Sequence, residues 1–150
     1  MTELLFRDDA YLQSADATVL GINERGGIVL DKTNFYAAAG GQPGDKGTMA
    51  FNGKPIEIAT TIYDEVKNVV HVPANAEDLP TLGTPVTLAL DWHTRYRNMR
   101  AHTMMHLLCA CVPFPVTGGS ISDYGGRIDF DIPEGQIPNK EELAARINQL

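Results

Sequence analysis

With 150 residues, 43% of them hydrophobic and 21% charged, the chain has the length of one ordinary domain or two small ones and can bury a real core. A formal charge of −7 and a pI near 4.9 exclude a protein that coats nucleic acid indiscriminately, which needs a broad basic surface; local contact with an RNA end is left open. The apolar runs are too short to cross a bilayer, and Glu3, Arg7, Asp8 and Asp9 interrupt any secretory leader, so a cytoplasmic location is expected.

The first ninety residues read as β structure. Thr18–Ile22 and Ile28–Leu30 are short apolar runs separated by Asn23-Glu-Arg-Gly-Gly27, a hairpin signal. Thr48–Phe51 and Pro55–Ala59 flank Asn52-Gly53, the strongest short hairpin cue a sequence offers. Further strands are predicted at Thr60–Tyr63, Val69–Val72 and Pro85–Leu90. Many short strands at close intervals point to a small barrel or sandwich.

At Asp91 the pattern changes. Asp91 is a good N-cap, and Trp92, Tyr96, Met99, Thr103, His106 and Ala110 recur at spacings of three and four, which predicts a helix of about five turns ending before Pro113 and Pro115. Cys109 and Cys111 stand two residues apart, a poor spacing for a bridge, and are expected as reduced thiols in the core. Residues 118–122 and 127–132 then read as a hairpin turned by Tyr124-Gly-Gly126. Asn139-Lys-Glu-Glu142 is a variant capping box, and Leu143, Ile147 and Leu150 form a helical stripe inside which the chain stops, as though more polypeptide should follow.

Three elements carry candidate chemistry. His102 and His106 lie at i and i+4, so a helix presents both imidazoles on one face, where they can share a divalent ion; incidental helix residues are the alternative. No Glu follows His102, so the metalloprotease pattern is absent, and Cys109 lies about 10 Å along the axis from His102, too far for one ion to join all three. The second element is Phe35-Tyr-Ala-Ala-Ala-Gly-Gly-Gln-Pro-Gly-Asp-Lys-Gly47, whose glycines permit close approach to a ligand and whose Gln42 offers both a donor and an acceptor; an ordinary inter-strand loop is the alternative. The third is Thr117–Ser120 with Arg127 and Asp129, which share one strand face and either orient a substrate or pair with each other. Arg95, on the histidine side of the helix, meets a phosphate, a salt-bridge partner or solvent.

Together these segments resemble the alanyl-tRNA editing family, which comprises the editing domain of alanyl-tRNA synthetase and its free-standing relatives, the AlaX proteins. Residues 35–47 resemble the family's glycine-rich motif, Arg97–Leu108 its His-x3-His helix, and Gly118–Asp131 the hairpin that follows. The likeness is greater to the free-standing members, since no aminoacylation domain precedes these motifs. It implies an α+β fold, with a small β-barrel over residues 1–90 followed by an α+β editing domain, incomplete at its C-terminus, over residues 91–150. It implies hydrolysis of the ester joining a wrong amino acid, chiefly serine, to the tRNA for alanine. The expected partner is the acceptor end of that mischarged tRNA, with neither DNA nor a membrane. The implied cofactor is zinc, held by His102 and His106 together with a cysteine and a histidine from a later Cys-x3-His motif. Gln42 matches the glutamine that faces the aminoacyl group, and Thr103 a hydroxyl position after the first histidine; these two are the expected catalytic residues. Gly40, Gly41, Gln42, Arg127 and Asp129 are the expected substrate contacts.

Two departures from the family pattern stand out. Met105 occupies a position where many synthetase members carry threonine. No Cys-x3-His is present, and the segment that supplies it is expected beyond Leu150, so these 150 residues are expected to bind zinc weakly and hydrolyse little. The rival readings are another metal-assisted hydrolase of small esters or amides, and a non-catalytic amino-terminal fragment.

Overall fold

The computed structural model describes residues 2–122 and 125–150; Tyr124, expected at the turn of the last hairpin, lies outside them. The chain divides into two compact units, Met1–Ala39 with Pro43–Arg95, and Gly40–Gln42 with Tyr96–Leu150.

The first unit is a closed barrel of six strands. In chain order the strands of this part of the chain are β1 (Glu3–Leu4), β2 (Ser14–Ile22), β3 (Ile28–Leu30), β4 (Lys32–Thr33), β5 (Gly47–Phe51), β6 (Lys54–Tyr63), β7 (Val69–Pro73) and β8 (Pro85–Leu90), of which β1 and β4 pair apart from the barrel. Around the barrel the order is β2-β3-β7-β6-β5-β8, every neighbour antiparallel, so no sheet edge is left open. Strand alternation fills the interior: Val86 and Leu88 of β8 point inward between outward Pro85, Thr87 and Ala89, and meet Val19, Leu30, Met49 and Ile58. Asn52 and Gly53 join β5 to β6 with φ of 49° and 76°, the paired positive angles of the expected tight hairpin.

Three features differ from the expected strands. β2 begins four residues earlier than the apolar run, because Ser14–Thr18 pair with β8 although alternate residues there are polar. The two strands expected at 55–59 and 60–63 are one strand, β6, whose register slips between Ile58 and Thr60 opposite β7. The short parallel pair β1–β4 carries no hydrophobic periodicity and was not expected.

His71 of β7 sits in this interior with no exposure. Its Nδ1 lies 3.1 Å from the Ile28 carbonyl, which only accepts, so Nδ1 carries the proton and Nε2 accepts from the Thr33 hydroxyl at 2.8 Å. Burial pushes the His71 pKa down from 6.5 to about 4, against the pull of the Ile28 carbonyl. Between those values the unfolded chain takes up a proton that the folded chain refuses. Stability is therefore full above pH 6.5 and falls as the pH drops toward 4, by about 3 kcal/mol over that window. Urea unfolding of the wild type and His71→Asn at pH 7 and pH 4.5 checks this: the wild type is expected to lose more stability than the variant, and equal losses would contradict it.

The second unit holds the helix and the second sheet. α1 (Trp92–Cys111) starts in the first unit; Asp91 caps it by accepting the Thr94 N–H and hydroxyl at 3.1 and 2.7 Å. β9 (Val116–Ser122) and β10 (Gly125–Phe130) form an antiparallel hairpin. α2 (Lys140–Ile147) is capped by Asn139, whose side chain accepts from the Glu141 and Glu142 N–H groups at 2.8 and 3.1 Å. The barrel followed by helix and hairpin segments accords with the expected α+β class.

The expected apolar stripe of α1 is not its buried face. Tyr96, Thr103 and Ala110 are exposed, whereas Arg95, Asn98 and Cys111 are buried. Periodicity misleads because two polar side chains occupy the inner face. Among the described residues no helix is long and apolar enough to cross a membrane.

Candidate functional site

The glycine-rich segment is tied at its base before any of it reaches a site. Phe35 is a fully buried member of the barrel core, not part of a binding loop. The Tyr36 N–H donates to Asp45 Oδ2 at 2.7 Å and the Asp45 N–H donates to the Tyr36 carbonyl at 2.9 Å, which cinches residues 37–44 into a tongue. A Cβ on Gly44 would lie 1.8 Å from the Thr61 carbonyl oxygen, so only glycine fits where the end of this tongue lies against β6. Arg95, 3% exposed, donates through Nη1 to Asp45 Oδ2, and its guanidinium lies 5.9 Å from the Phe6 ring centre and 5.7 Å from that of Tyr36. This ion pair leaves no role for Arg95 in meeting a phosphate. Burial lifts the Asp45 carboxyl above its ordinary value although Arg95 and the Tyr36 N–H pull it down.

In the second unit, Gly40, Gly41 and Gln42 pack with α1 and the hairpin. The Gly41 carbonyl accepts the Ile121 N–H at 2.8 Å. Gly41 has φ +78°, and a Cβ there would lie 2.7 Å from the Gly119 oxygen, so its backbone lies directly on β9. A Cβ on Gly40 would stand 3.6 Å from His102 Cε1. Gln42, 5% exposed, faces His102 with Oε1 3.0 Å from Nδ1. An amide oxygen only accepts, so His102 Nδ1 carries the proton and Nε2 keeps its lone pair. Burial, then the nearby His106, holds the His102 pKa below 6.5, which favours the neutral ring. The two imidazoles are stacked, centres 5.0 Å apart and planes 16° off parallel, as one helical turn dictates.

These rings line a cavity of about 440 Å³ between α1 and the hairpin. Met105 and Cys109 join them from α1, while Thr117, Gly118, Gly119 and Ile128 face them from β9 and β10. A slightly larger recess of about 490 Å³ lies on the barrel, but the one carboxylate there, Asp16, is bonded by the Thr87 hydroxyl at 2.8 Å. The concentration of imidazole, thiol, hydroxyl and bare backbone makes the α1–hairpin cavity the candidate site.

The structure thus brings together Gly40, Gly41, Gln42, His102 and His106. It places Thr103 on the exposed side of α1, outside the cavity lining. Arg127 and Asp129 bond each other at 2.9 Å, with 75% and 42% of their side chains exposed. Cys111 is a buried free thiol as expected, but Cys109 faces the cavity and is not a core residue. Sequence reasoning passed over Met105 and Cys109 as wall residues; their i+3 spacings from His102 and His106 were the available signal.

The zinc expectation requires correction. Among the described residues no group of three or more His, Cys, Asp or Glu side chains is placed to hold a metal ion. His102 and His106 provide two donors where a tetrahedral site normally needs three or four. One of the four ring nitrogens is committed to Gln42, and the Asp129 carboxylate on the hairpin is taken by Arg127. The residues present do not fit the ion.

Residues 9–94 match the family described as tRNA synthetases class II (A). The alanyl-tRNA editing protein AlaX-M of Pyrococcus horikoshii is 37% identical, the alignment covering 99% of this chain and 69% of the relative. AlaX-L of the same organism is also 37% identical, over 89% of this chain and 36% of the relative. The alanine–tRNA ligase of Pyrobaculum neutrophilum is 33% identical over 99% of this chain, which spans 17% of that enzyme.

Proposed function

The chain belongs to the alanyl-tRNA editing family, and on that premise we propose that its cavity takes the aminoacyl end of a mischarged tRNA for alanine, chiefly seryl-tRNA, and cleaves the ester. The observation that carries this reading is the Gln42–His102 hydrogen bond at the cavity wall. It fixes one tautomer, so that Nε2 accepts a proton from water as the water oxygen attacks the ester carbonyl. The carbon–oxygen bond to the ribose then breaks, and the same proton passes to the departing ribose oxygen. Gln42 acts through His102 as a positioning residue. His106 and the bare backbone of Gly40, Gly118 and Gly119 surround the aminoacyl group, and Thr117 is the hydroxyl-bearing residue of the lining that a serine side chain would meet. A site that hydrogen-bonds the extra hydroxyl selects serine from alanine where an apolar pocket discriminates poorly, by about a hundredfold.

Capture without hydrolysis is a second reading, favoured by one observation: two imidazoles stand in the cavity with no complete metal set among the described residues. The two readings part in one experiment. Seryl-tRNA and alanyl-tRNA, both on the tRNA for alanine, are incubated with the protein, and free amino acid is measured alongside binding of a non-hydrolysable seryl-adenosine amide. Serine release more than about a hundredfold faster than alanine release is expected from the hydroxyl-recognising site. Binding of the amide without release would favour capture, and absence of both would overturn the assignment.

A further inference from the structure

We propose that Met105 sets the upper size limit of the aminoacyl side chain that the cavity accepts, an inference resting on the function proposed above. Met105 lies one turn from His102 on the cavity side of α1 and lines the wall opposite β9 and β10. Its thioether lies against a floor that is almost all backbone. A Cβ on Gly119 would stand 3.0 Å from Met105 Cε, and one on Gly126 2.8 Å from Met105 Sδ. At both spacings an added methyl would push the thioether aside, so the two glycines let the methionine lie flat against the hairpin. Across the hairpin, Gly119 is the register partner of Ile128, another wall residue. Beyond the imidazoles the bulky apolar groups of the wall are Met105, Ile128 and Val116, and of these Met105 is the unbranched, flexible one. Substrate atoms beyond the size of serine reach this wall first. One methylene too many in such a pocket changes affinity by about 10- to 200-fold, so removing the thioether should open space that larger side chains then occupy.

The test uses 3′-aminoacylamino-3′-deoxyadenosines, non-hydrolysable amides bearing seryl, threonyl or valyl groups, titrated calorimetrically into the full chain. The wild type is expected to bind the seryl amide at least about tenfold more tightly than the valyl amide. Met105→Ala should narrow that ratio by about tenfold, and Met105→Leu should keep it near the wild-type value. Gly119→Ala, whose new methyl presses on Met105 Cε, should widen it, and supplies the opposite sign even if Met105→Ala folds poorly. A ratio unchanged within twofold in both Met105→Ala and Gly119→Ala would overturn the inference while leaving seryl binding, and the proposed function, in place. Failure of the wild type to bind any of the three amides would overturn the proposed function, and this inference with it.

Discussion

Replacing His102 with alanine is expected to slow hydrolysis of seryl-tRNA by roughly 10²- to 10⁴-fold, the usual contribution of a positioned general base. The ring that is lost offers the cavity a lone pair whose direction is fixed, since Gln42 Oε1 holds the proton on Nδ1. Gln42→Ala should act through the same ring and cost less. It leaves an N–H without its buried acceptor, a penalty of about 1–3 kcal/mol, equivalent to roughly 5- to 150-fold in rate. The double variant should be little worse than His102→Ala alone, because the glutamine has no ring left to orient. Single-turnover hydrolysis by the four proteins gives the comparison; independent, multiplying losses would contradict the coupling.

Asp45→Ala should destabilise the barrel unit by about 3–5 kcal/mol, the cost of leaving a buried charge without its partner. The Arg95 guanidinium is 3% exposed, and its Nε already has no hydrogen-bond partner, as does Asp45 Oδ1. Without the carboxylate, only the faces of Phe6 and Tyr36 and the surrounding protein remain to stabilise the cation. The double variant Arg95→Met/Asp45→Leu should recover much of the loss, because no charge remains buried. Arg127→Ala is the internal contrast: its partner Asp129 is 42% exposed, so breaking that pair should cost no more than about 1 kcal/mol. Denaturant unfolding of the variants measures all three, and a loss below 1 kcal/mol for Asp45→Ala would contradict the argument.

The barrel was legible in the sequence because its signals are local. Alternating apolar residues and the Asn52-Gly53 turn specify strands and a hairpin without reference to the rest of the chain. The Asp91 and Asn139 caps were legible for the same reason. What the sequence concealed depends on partners far away in the chain. Arg95 reads as open to a phosphate, a salt-bridge partner or solvent, and nothing local chooses among them; it is buried and paired because Asp45 stands fifty positions earlier. Phe35 reads as part of a ligand loop and is core, because the tongue begins only after the Tyr36–Asp45 tie. The grouping of Gly40–Gln42 with α1 rests on contacts sixty or more positions apart, which no local pattern encodes. The histidine pair was found from its spacing alone. That spacing fixes the proximity of the two rings, but whether a metal set is complete depends on residues elsewhere in the fold.

The Gln42–His102 couple is open to direct observation by long-range nitrogen–proton NMR of the imidazoles, recorded where the rings are neutral. The proton of His102 should reside on Nδ1 in the wild type and shift largely to Nε2 in Gln42→Ala, which lacks the acceptor. A wild-type His102 protonated on Nε2, or one unaffected by loss of the glutamine, would contradict the proposed site.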